Sequence, residues 1–488
     1  MRISLFCHSL LSDWNHGNAH FLRGVVTELV ERGHRVKVYE AANAWSPSQL
    51  AEQYGSAALL DAQRQYPALD IQRYAESDLD LETAIGDSEL AIVHEWTPHD
   101  LVSRIGAVGK RLGCRLLFHD THHRAVTAPE EMRRYDLSAF DGVLAFGEVL
   151  RQIYLSRNWA ERVWTWHEAA DVRVFKPLPE ISPERDLVWV GNWGDDERVR
   201  ELQEFLIDPI ARLNSSARVH GVRYPESALA SLARANIEYA GWLPNYRVPD
   251  AFARARVTVH VPRNPYVIAL PGIPTIRPFE ALACGIPLIC SPWQDAEGLF
   301  RAGKDYLLAR DGREMTEMLR LLLNEPEAAR ELALHGRNTV LARHTCAHRV
   351  DELLSICREL GLNTQVASGA LEPESTRAPV EVARANLRVA PDLGIQVRPA
   401  ECAVGLRLVL PSDPRRQARI SRVLAEFPAI RVEFSPFDAP VDPALTLEVF
   451  EWARRDCDLV ECDRIAAHAA DSSAWLSLRG ADLAEDVL

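Results

Sequence analysis

The sequence predicts an α/β protein in which two doubly wound, Rossmann-like domains face each other across a cleft and a small C-terminal α/β appendage follows. Apolar strand-like segments alternate with helical periodicity, and this alternation starts afresh near residue 185. After Gly361 the chain becomes rich in Ser, Thr, Glu, Pro and Gly, which is typical of a linker. We therefore expect an N-terminal domain at 1–170, a second domain at 171–362, a linker at 363–380 and the appendage at 381–488.

The first domain opens with a predicted strand at 2–8, a polar segment at 12–17 that contains a glycine, and a helix that ends at Gly33. A second strand at 35–39 completes a unit whose length implies two parallel strands with a right-handed crossover. Further strands are predicted at 90–93, 115–118 and 142–145. Polar residues follow several of these strands, at the sheet edge where open α/β proteins bind ligands.

The second domain is predicted to begin after a hinge at 165–180. Its strands are expected at 186–190, 217–220, 237–239, 257–261 and 287–290. Three helices close this region, at 313–323, 326–343 and 348–360. We expect the last helix, about 346–360, to return to the N-terminal domain.

Charge and composition restrict the classes of function. The formal net charge of −14 argues against general nucleic-acid binding, because such binding needs cations that displace phosphate counterions. A run of about 18 apolar residues, which a transmembrane helix needs, does not occur. The nine scattered cysteines predict reduced thiols and therefore a cytoplasmic protein. Peripheral association with the inner face of the membrane is left open.

The strongest motif is the segment Ile276-Arg-Pro-Phe-Glu-Ala-Leu-Ala-Cys-Gly285. Pro278 suits the first turn of a helix and Gly285 its end, and the helix N-terminus would attract an anion. Glu280, predicted in the first turn, could accept hydrogen bonds from the hydroxyls of a ribose, and Arg277 could bind a phosphate. A buried helix in which the dipole merely stabilises Glu280 is the alternative interpretation.

This segment resembles the donor-binding element of family-4-like GT-B glycosyltransferases, written E-x7-E and followed by A-x-G-x-P, and the resemblance covers roughly residues 1–360. The spore-maturation CgeB-like branch is more similar still, with R-x-F-E-A-x-A-C-G and a later His-Thr-x-x-His-Arg, here residues 344–349. Gly272 stands where the family's first glutamate, which contacts the donor sugar in retaining relatives, would be. The resemblance implies a metal-independent, cofactor-free transferase that retains anomeric configuration.

Further donor-binding residues follow from the same resemblance. The loop before the first helix, with Gly17, would bring backbone N–H groups to a diphosphate. After the strand at 186–190, Asn192 replaces the family's first cation and Arg198 is the candidate for the second. Asp195 and Asp196 are interpreted as a helix N-cap region rather than a metal site. The predicted donor-binding set is Glu280, Arg277, Arg198, Asn192, Gly191, Gly17, Thr275 and Trp242.

Polar residues at the strand ends of the first domain supply the predicted catalytic and acceptor groups. His119, Asp120 and Glu95 could position or deprotonate an acceptor hydroxyl, because a histidine or carboxylate is the usual base for that step. Acceptor binding is assigned to His20, His94, His122 and His167. Two alternative interpretations remain. These residues could be polar groups of an interdomain cleft whose hydrogen bonds are all made within the protein, or residues 119–123 could form a metal site.

The predicted function is transfer of a sugar from a nucleoside diphosphate donor to an acceptor hydroxyl, without a cofactor or metal. The acceptor is left open between a saccharide, a lipid-linked glycan, a protein and a small molecule. A nucleotide-sugar epimerase or hydrolase on the same fold is one alternative. A non-catalytic sugar- or partner-binding protein is the other, and Gly272 and Asn192 are the features that favour it.

Overall fold

The computed structural model describes residues 1–365 and four strand segments further along the chain, at 405–409, 431–435, 464–470 and 473–479. Backbone contacts divide the chain into two units, Met1–Ser368 and Gly369–Leu488. The predicted linker beyond residue 365 and most of the predicted appendage at 381–488 lie outside the described residues.

The first half of the larger unit is a parallel sheet flanked by helices. Its strands are β1 (Arg2–Cys7), β2 (Arg35–Ala41), β3 (Asp70–Tyr74), β4 (Leu90–His94), β5 (Arg115–Asp120), β6 (Gly142–Ala145) and β7 (Val163–Thr165). Its helices are α1 (Asn18–Glu31), α2 (Trp45–Tyr54), α3 (Ala57–Gln65), α4 (Leu81–Ile85), α5 (His99–Leu112), α6 (Arg124–Thr127), α7 (Pro129–Arg133) and α8 (Glu148–Ser156). The strand order is β3-β2-β1-β4-β5-β6-β7, and every pair is parallel.

The second half repeats this architecture. Its strands are β8 (Arg185–Val190), β9 (Ala217–His220), β10 (Ile237–Tyr239), β11 (Ala255–His260), β12 (Leu288–Cys290) and β13 (Leu307–Leu308), in the parallel order β10-β9-β8-β11-β12-β13. Its helices are α9 (Val199–Leu202), α10 (Asp208–Leu213), α11 (Glu226–Arg234), α12 (Val248–Ala253), α13 (Asn264–Ile268), α14 (Ile276–Ala283), α15 (Gly312–Asn324), α16 (Pro326–Arg343) and α17 (Cys346–Glu359). Both predicted doubly wound sheets are therefore present.

Helix α17 returns to the first half, as expected from the sequence. Its apolar residues Val350, Leu353 and Cys357 are buried in the same cluster as strand β1 and helix α1. Thr345 caps the helix by accepting a hydrogen bond from the backbone N–H of His348, whose ring in turn contacts the Thr345 backbone N–H. The His-Thr-x-x-His-Arg element thus forms a capping box that starts this helix.

Two local predictions are corrected. The three prolines and Gly272 of residues 263–274 predict an irregular loop, but this segment contains the short helix α13. Its residues Tyr266, Leu270 and Ile273 pack into the core beside β5 and β6. Asp195 and Asp196 do not cap a helix, because α9 begins only at Val199. Asp195 instead has a left-handed backbone, φ 51°, and pairs with Arg223 at 2.8 Å.

The smaller unit contains a four-stranded mixed sheet. Its strands are β14 (Gly405–Val409), β15 (Arg431–Ser435), β16 (Arg464–Ala470) and β17 (Ser473–Arg479). The order is β15-β14-β17-β16, with β14 parallel to both neighbours and β16 antiparallel to β17.

Candidate active site

A cavity of about 660 Å³ lies where the carboxyl edges of the two parallel sheets face each other. The first half contributes the loops after β1 and β5 and the segment that follows β7. The second half contributes the ends of β8 and β11 and the start of α14. Ligands of open α/β sheets bind at this edge, so the cavity is the candidate active site.

Three arginines form one wall of the cavity: Arg198, Arg263 and Arg277. Arg263 pairs with Glu197 at 3.3 Å, and Arg277 pairs with Glu280. Arg198 differs from both, because within the described residues its hydrogen bonds go to backbone carbonyls and to no carboxylate.

The Arg198 guanidinium is held by the carbonyl oxygens of Trp193, Val261 and Asn192, the first two at 3.3 and 2.6 Å. Burial and the nearby charge of Arg263 lower the pKa of Arg198 to about 9. A half-buried guanidinium that is fixed in place, with no carboxylate bound to it among the described residues, provides a site for an anion.

The start of α14 adds a second anion-binding element to the same wall. Thr275, the N-cap residue, makes no side-chain cap hydrogen bond, and Thr275, Ile276 and Arg277 all line the cavity. The N–H groups of the first helical turn therefore lie at the cavity. Thr275 has φ 59° and ψ −179°, a conformation that is strained for a β-branched residue, and such strain is concentrated at functional sites.

Glu280 does not occupy the position that the sequence predicts. It is the fifth residue of α14 and so lies in the second turn rather than the first, and its side chain is fully buried. Its Oε1 accepts hydrogen bonds from His20 Nδ1 at 2.6 Å and from Asn245 Nδ2 at 3.4 Å, while Arg277 holds Oε2. His20 Nε2 accepts from the Asp171 backbone N–H at 2.9 Å, which leaves the ring proton on Nδ1. Glu280 is thus covered by the first half.

The rest of the predicted donor set divides into two groups. Gly17, Gly191, Asn192, Arg198, Thr275 and Arg277 line the cavity. Trp242 does not, because its Nε1 donates to Asp13 Oδ1 at 3.0 Å and its ring packs on Tyr54 with centroids 4.9 Å apart. Trp242, a predicted donor-binding residue, is therefore in contact with the first half.

The three predicted catalytic residues are brought together but lie behind the cavity wall. His119, Asp120 and Glu95 are fully buried and do not line the cavity. Asp120 accepts from the Tyr154 hydroxyl at 2.8 Å, Arg124 pairs with Glu95, and burial raises the pKa of both carboxyl groups. Burial lowers the pKa of His119 to about 3. In this arrangement none of the three reaches a ligand.

His122 lines the cavity, whereas the other predicted acceptor residues, His20, His94 and His167, do not. His94 Nε2 is 3.1 Å from the hydroxyl of Thr121, and His167 contacts Glu297 at 2.7 Å. Burial and the neighbouring His123, Arg263 and Arg124 lower the pKa of His122 to about 2, so its ring is neutral at pH 7.

Sequence reasoning missed several residues of the cavity. His260 ends β11 and Arg263 follows it, while Glu168 and Asn18 lie at the interdomain face. The signal for Arg263 and His260 was available, since both stand at the carboxyl end of a predicted strand. Within the described residues no group of three or more His, Cys, Asp or Glu side chains is placed to hold a metal ion.

Comparisons with known proteins agree with this architecture. Residues 198–355 match a family model described as glycosyl transferase-like. Sucrose-phosphate synthase from Thermosynechococcus elongatus superposes with a TM-score of 0.50 at 15% identity, covering 74% of this chain and 99% of that one. Anabaena Alr3699/HepE, solved with UDP and glucose, gives 0.54 at 12% identity, with 74% and 100% covered.

An alpha-glucosyltransferase in complex with UDP and a 13-mer DNA gives a TM-score of 0.56 at 9% identity, covering 73% of this chain and 99% of that one. A search of curated proteins finds no match to this sequence. The chain has the GT-B fold, two Rossmann-like halves around a cleft, which confirms the fold class predicted from the sequence. In the part of the chain that the structure describes, no helix is long and apolar enough to cross a membrane.

Proposed function

We propose that the chain is a glycosyltransferase that moves a sugar from a nucleoside diphosphate donor to an acceptor hydroxyl. One observation carries the proposal: Arg198, a half-buried guanidinium with no carboxylate partner among the described residues, shares a cavity wall with the uncapped start of α14. Both groups suit a diphosphate, and the glycosyl transferase-like family model begins at this arginine.

The chemistry follows from where charge develops. When the bond between the anomeric carbon and the diphosphate breaks, negative charge accumulates on the departing phosphate oxygens. Arg198, Arg263, Arg277 and the first turn of α14 would stabilise that charge without a metal ion or a cofactor. We extend the proposal to a hexosyl donor, to retention of configuration and to the CgeB-like branch, on the resemblance of the segment 276–285.

On the acceptor side, we assign His122 rather than His119 the contact with the incoming hydroxyl, since His122 is the predicted acceptor histidine that lines the cavity. A bound diphosphate would raise the pKa of this neutral imidazole and favour its use as a base. We propose a cytoplasmic protein and, as the acceptor, a saccharide, a lipid-linked glycan, a protein or a small molecule.

Nucleotide binding tests the proposal directly. We expect UDP, GDP or ADP to raise the melting temperature of the full chain, whereas the corresponding nucleosides do not, because the diphosphate makes the charged contacts. Arg198→Gln should weaken the binding of that nucleotide by about 10- to 100-fold, the size of one or two charge-assisted hydrogen bonds. Arg254→Gln, a surface arginine paired with Glu184, is the matched control.

The outcome also separates the alternatives. If no nucleoside diphosphate shifts the melting temperature, the transferase and the epimerase or hydrolase are both rejected. A protein that binds nucleotides but never releases a nucleoside diphosphate from UDP-glucose, GDP-mannose or ADP-glucose, with or without acceptor sugars, would be a binding protein. Slow hydrolysis of one donor that a sugar acceptor accelerates supports the transferase.

A further inference from the structure

Glu168 is a carboxyl group inside the cavity that contains the arginine wall, and the proposed diphosphate site does not use it. It stands in the segment that joins the two halves, and only 5% of the residue is exposed. Its Oε1 accepts a hydrogen bond from Asn18 Nδ2 at 3.0 Å. Asn18 is the first residue of α1 and also lines the cavity.

The negative charge of ionised Glu168, with Glu280 nearby, disfavours a phosphate as its ligand. A carboxylate repels a diphosphate, and this repulsion is large where water is excluded. Burial and the neighbouring Glu280 raise the pKa of Glu168 to about 7, while Asn18 and Arg277 act in the opposite direction. Glu168 therefore marks a part of the cavity that suits a neutral, hydrogen-bonding portion of a ligand.

Polar atoms elsewhere in this cavity point to the same kind of ligand. Among the described residues, Asn18 Oδ1, His16 Nε2 and His260 Nδ1 are buried without a hydrogen-bond partner, and all three residues line the cavity. Asn18, His16 and His260 are each at least nine-tenths buried. Buried polar groups require partners, and a ring with several hydroxyl groups both donates and accepts.

We propose that Glu168 and Asn18 bind hydroxyl groups of the sugar that is transferred, an inference that rests on the proposed function. The carboxylate would accept hydrogen bonds from one or two ring hydroxyls, and Asn18 Oδ1 would accept from a further hydroxyl. The arginine wall would hold the diphosphate of the same donor. Glu168 is then a residue that selects the sugar, and the site takes a neutral hexose or pentose rather than an acidic one.

A comparison of nucleotide with nucleotide-sugar affinity tests this assignment. Titration calorimetry on the full chain would use three pairs of probes: UDP with UDP-glucose, GDP with GDP-mannose and ADP with ADP-glucose. For the pair that the wild type binds, we expect Glu168→Gln to weaken the nucleotide sugar by about 10-fold or more and to change the nucleotide by less than about threefold. Asn18→Ala should shift the same ratio in the same direction by a smaller factor.

Each remaining outcome has a defined meaning. If Glu168→Gln weakens nucleotide and nucleotide sugar by the same factor, the assignment is overturned and Glu168 has a structural role. If the substitution changes neither affinity, the assignment is overturned as well. If the wild type binds none of the three pairs, the proposed function fails together with this inference. If it binds a nucleotide but Glu168→Gln leaves the sugar preference intact, only this inference fails. Glu184→Gln, an exposed carboxyl-to-amide change, is the control and should leave both affinities unaltered.

Discussion

At the scale of single residues, burial of ionisable groups sets the protonation states of the cavity. Glu168 is nearly inaccessible to solvent, which raises its pKa to about 7 in the folded chain. The unfolded chain loses this proton near the ordinary glutamate pKa of about 4.3. Between these values the folded state holds a proton that the unfolded state has released, so stability falls as the pH rises.

We therefore predict that Glu168→Gln increases the free energy of unfolding more at pH 8 than at pH 4.5. The increase in the free energy of unfolding should be about 3 kcal/mol larger at pH 8 than at pH 4.5. The reason is that the amide of the variant stays neutral at both pH values, whereas Glu168 must lose its proton at pH 8. Urea denaturation of both proteins at the two pH values measures it. A difference between variant and wild type that stays constant with pH would show that Glu168 ionises normally.

The sequence predicted which residues stand near the cavity better than it predicted which of them face it. Arg198, Asn192 and Arg277 line the cavity as expected, because each follows a strand or starts a helix at the carboxyl edge. His119 and Asp120 also end a strand, yet both side chains point into the core. Strand β5 continues through His119 and Asp120, two residues past its predicted end, and helices cover both faces of a parallel α/β sheet, so both side chains are buried.

At the scale of secondary structure, helix α1 is held against α17 and the interdomain segment by a close approach at Gly24. A Cβ atom placed on Gly24 would lie 2.5 Å from Cys346 Sγ and 2.8 Å from Asp171 Cβ. Alanine in a helix interior is favoured over glycine by about 1 kcal/mol. The overlap with two packed neighbours costs more than this, typically 1–3 kcal/mol.

We predict that Gly24→Ala lowers the free energy of unfolding by about 1–2 kcal/mol, since the steric cost exceeds the gain in helix propensity. Chemical denaturation measures the change. The double variant Gly24→Ala/Cys346→Ala should recover part of the loss that the two single variants produce, because it removes the nearer contact. A more stable Gly24→Ala protein would contradict the close packing.

Most of the parallel core could be predicted from the sequence, and the region 45–74 could not. Helix α16 was predicted at its observed bounds because its proline start is a strong local signal. Helices α2 and α3 carry weak amphipathic patterns, and β3 is an edge strand with little burial. Their positions depend on contacts with distant residues, such as Tyr54 with Trp242, which local patterns do not encode.

At the scale of the whole larger unit, side chains of the first half cover the nucleoside-binding groups predicted in the second. Asp13 accepts hydrogen bonds from Trp242 Nε1 and from the Asn245 backbone N–H, each at 3.0 Å. His20 covers Glu280 in the same way. A ribose can therefore reach Glu280 only after the two halves separate.

We predict that weakening this closure increases nucleotide affinity. Tyr54→Phe removes the hydroxyl that accepts a hydrogen bond from the Trp242 backbone N–H at 3.2 Å. Loss of about 1 kcal/mol from the closed state would raise the apparent affinity for UDP or GDP by up to about fivefold. Titration of both proteins measures this ratio, with Tyr246→Phe as a control. A weaker affinity in Tyr54→Phe would mean that the closed arrangement is the one that binds nucleotide.

The chain passes between the halves twice, and the two passages run side by side. Ala170 and Thr345 form a parallel bridge, in which the Ala170 N–H donates to His344 O at 3.0 Å and the Cys346 N–H donates to Ala170 O at 2.9 Å. The two adjacent connections therefore lie together at one hinge between the halves. Sliding one half past the other would break this bridge, whereas rotation about it leaves both hydrogen bonds intact. We therefore expect the halves to move mainly by rotation about this bridge, so that a ligand bound at any point of the cleft changes the opening of the whole cleft.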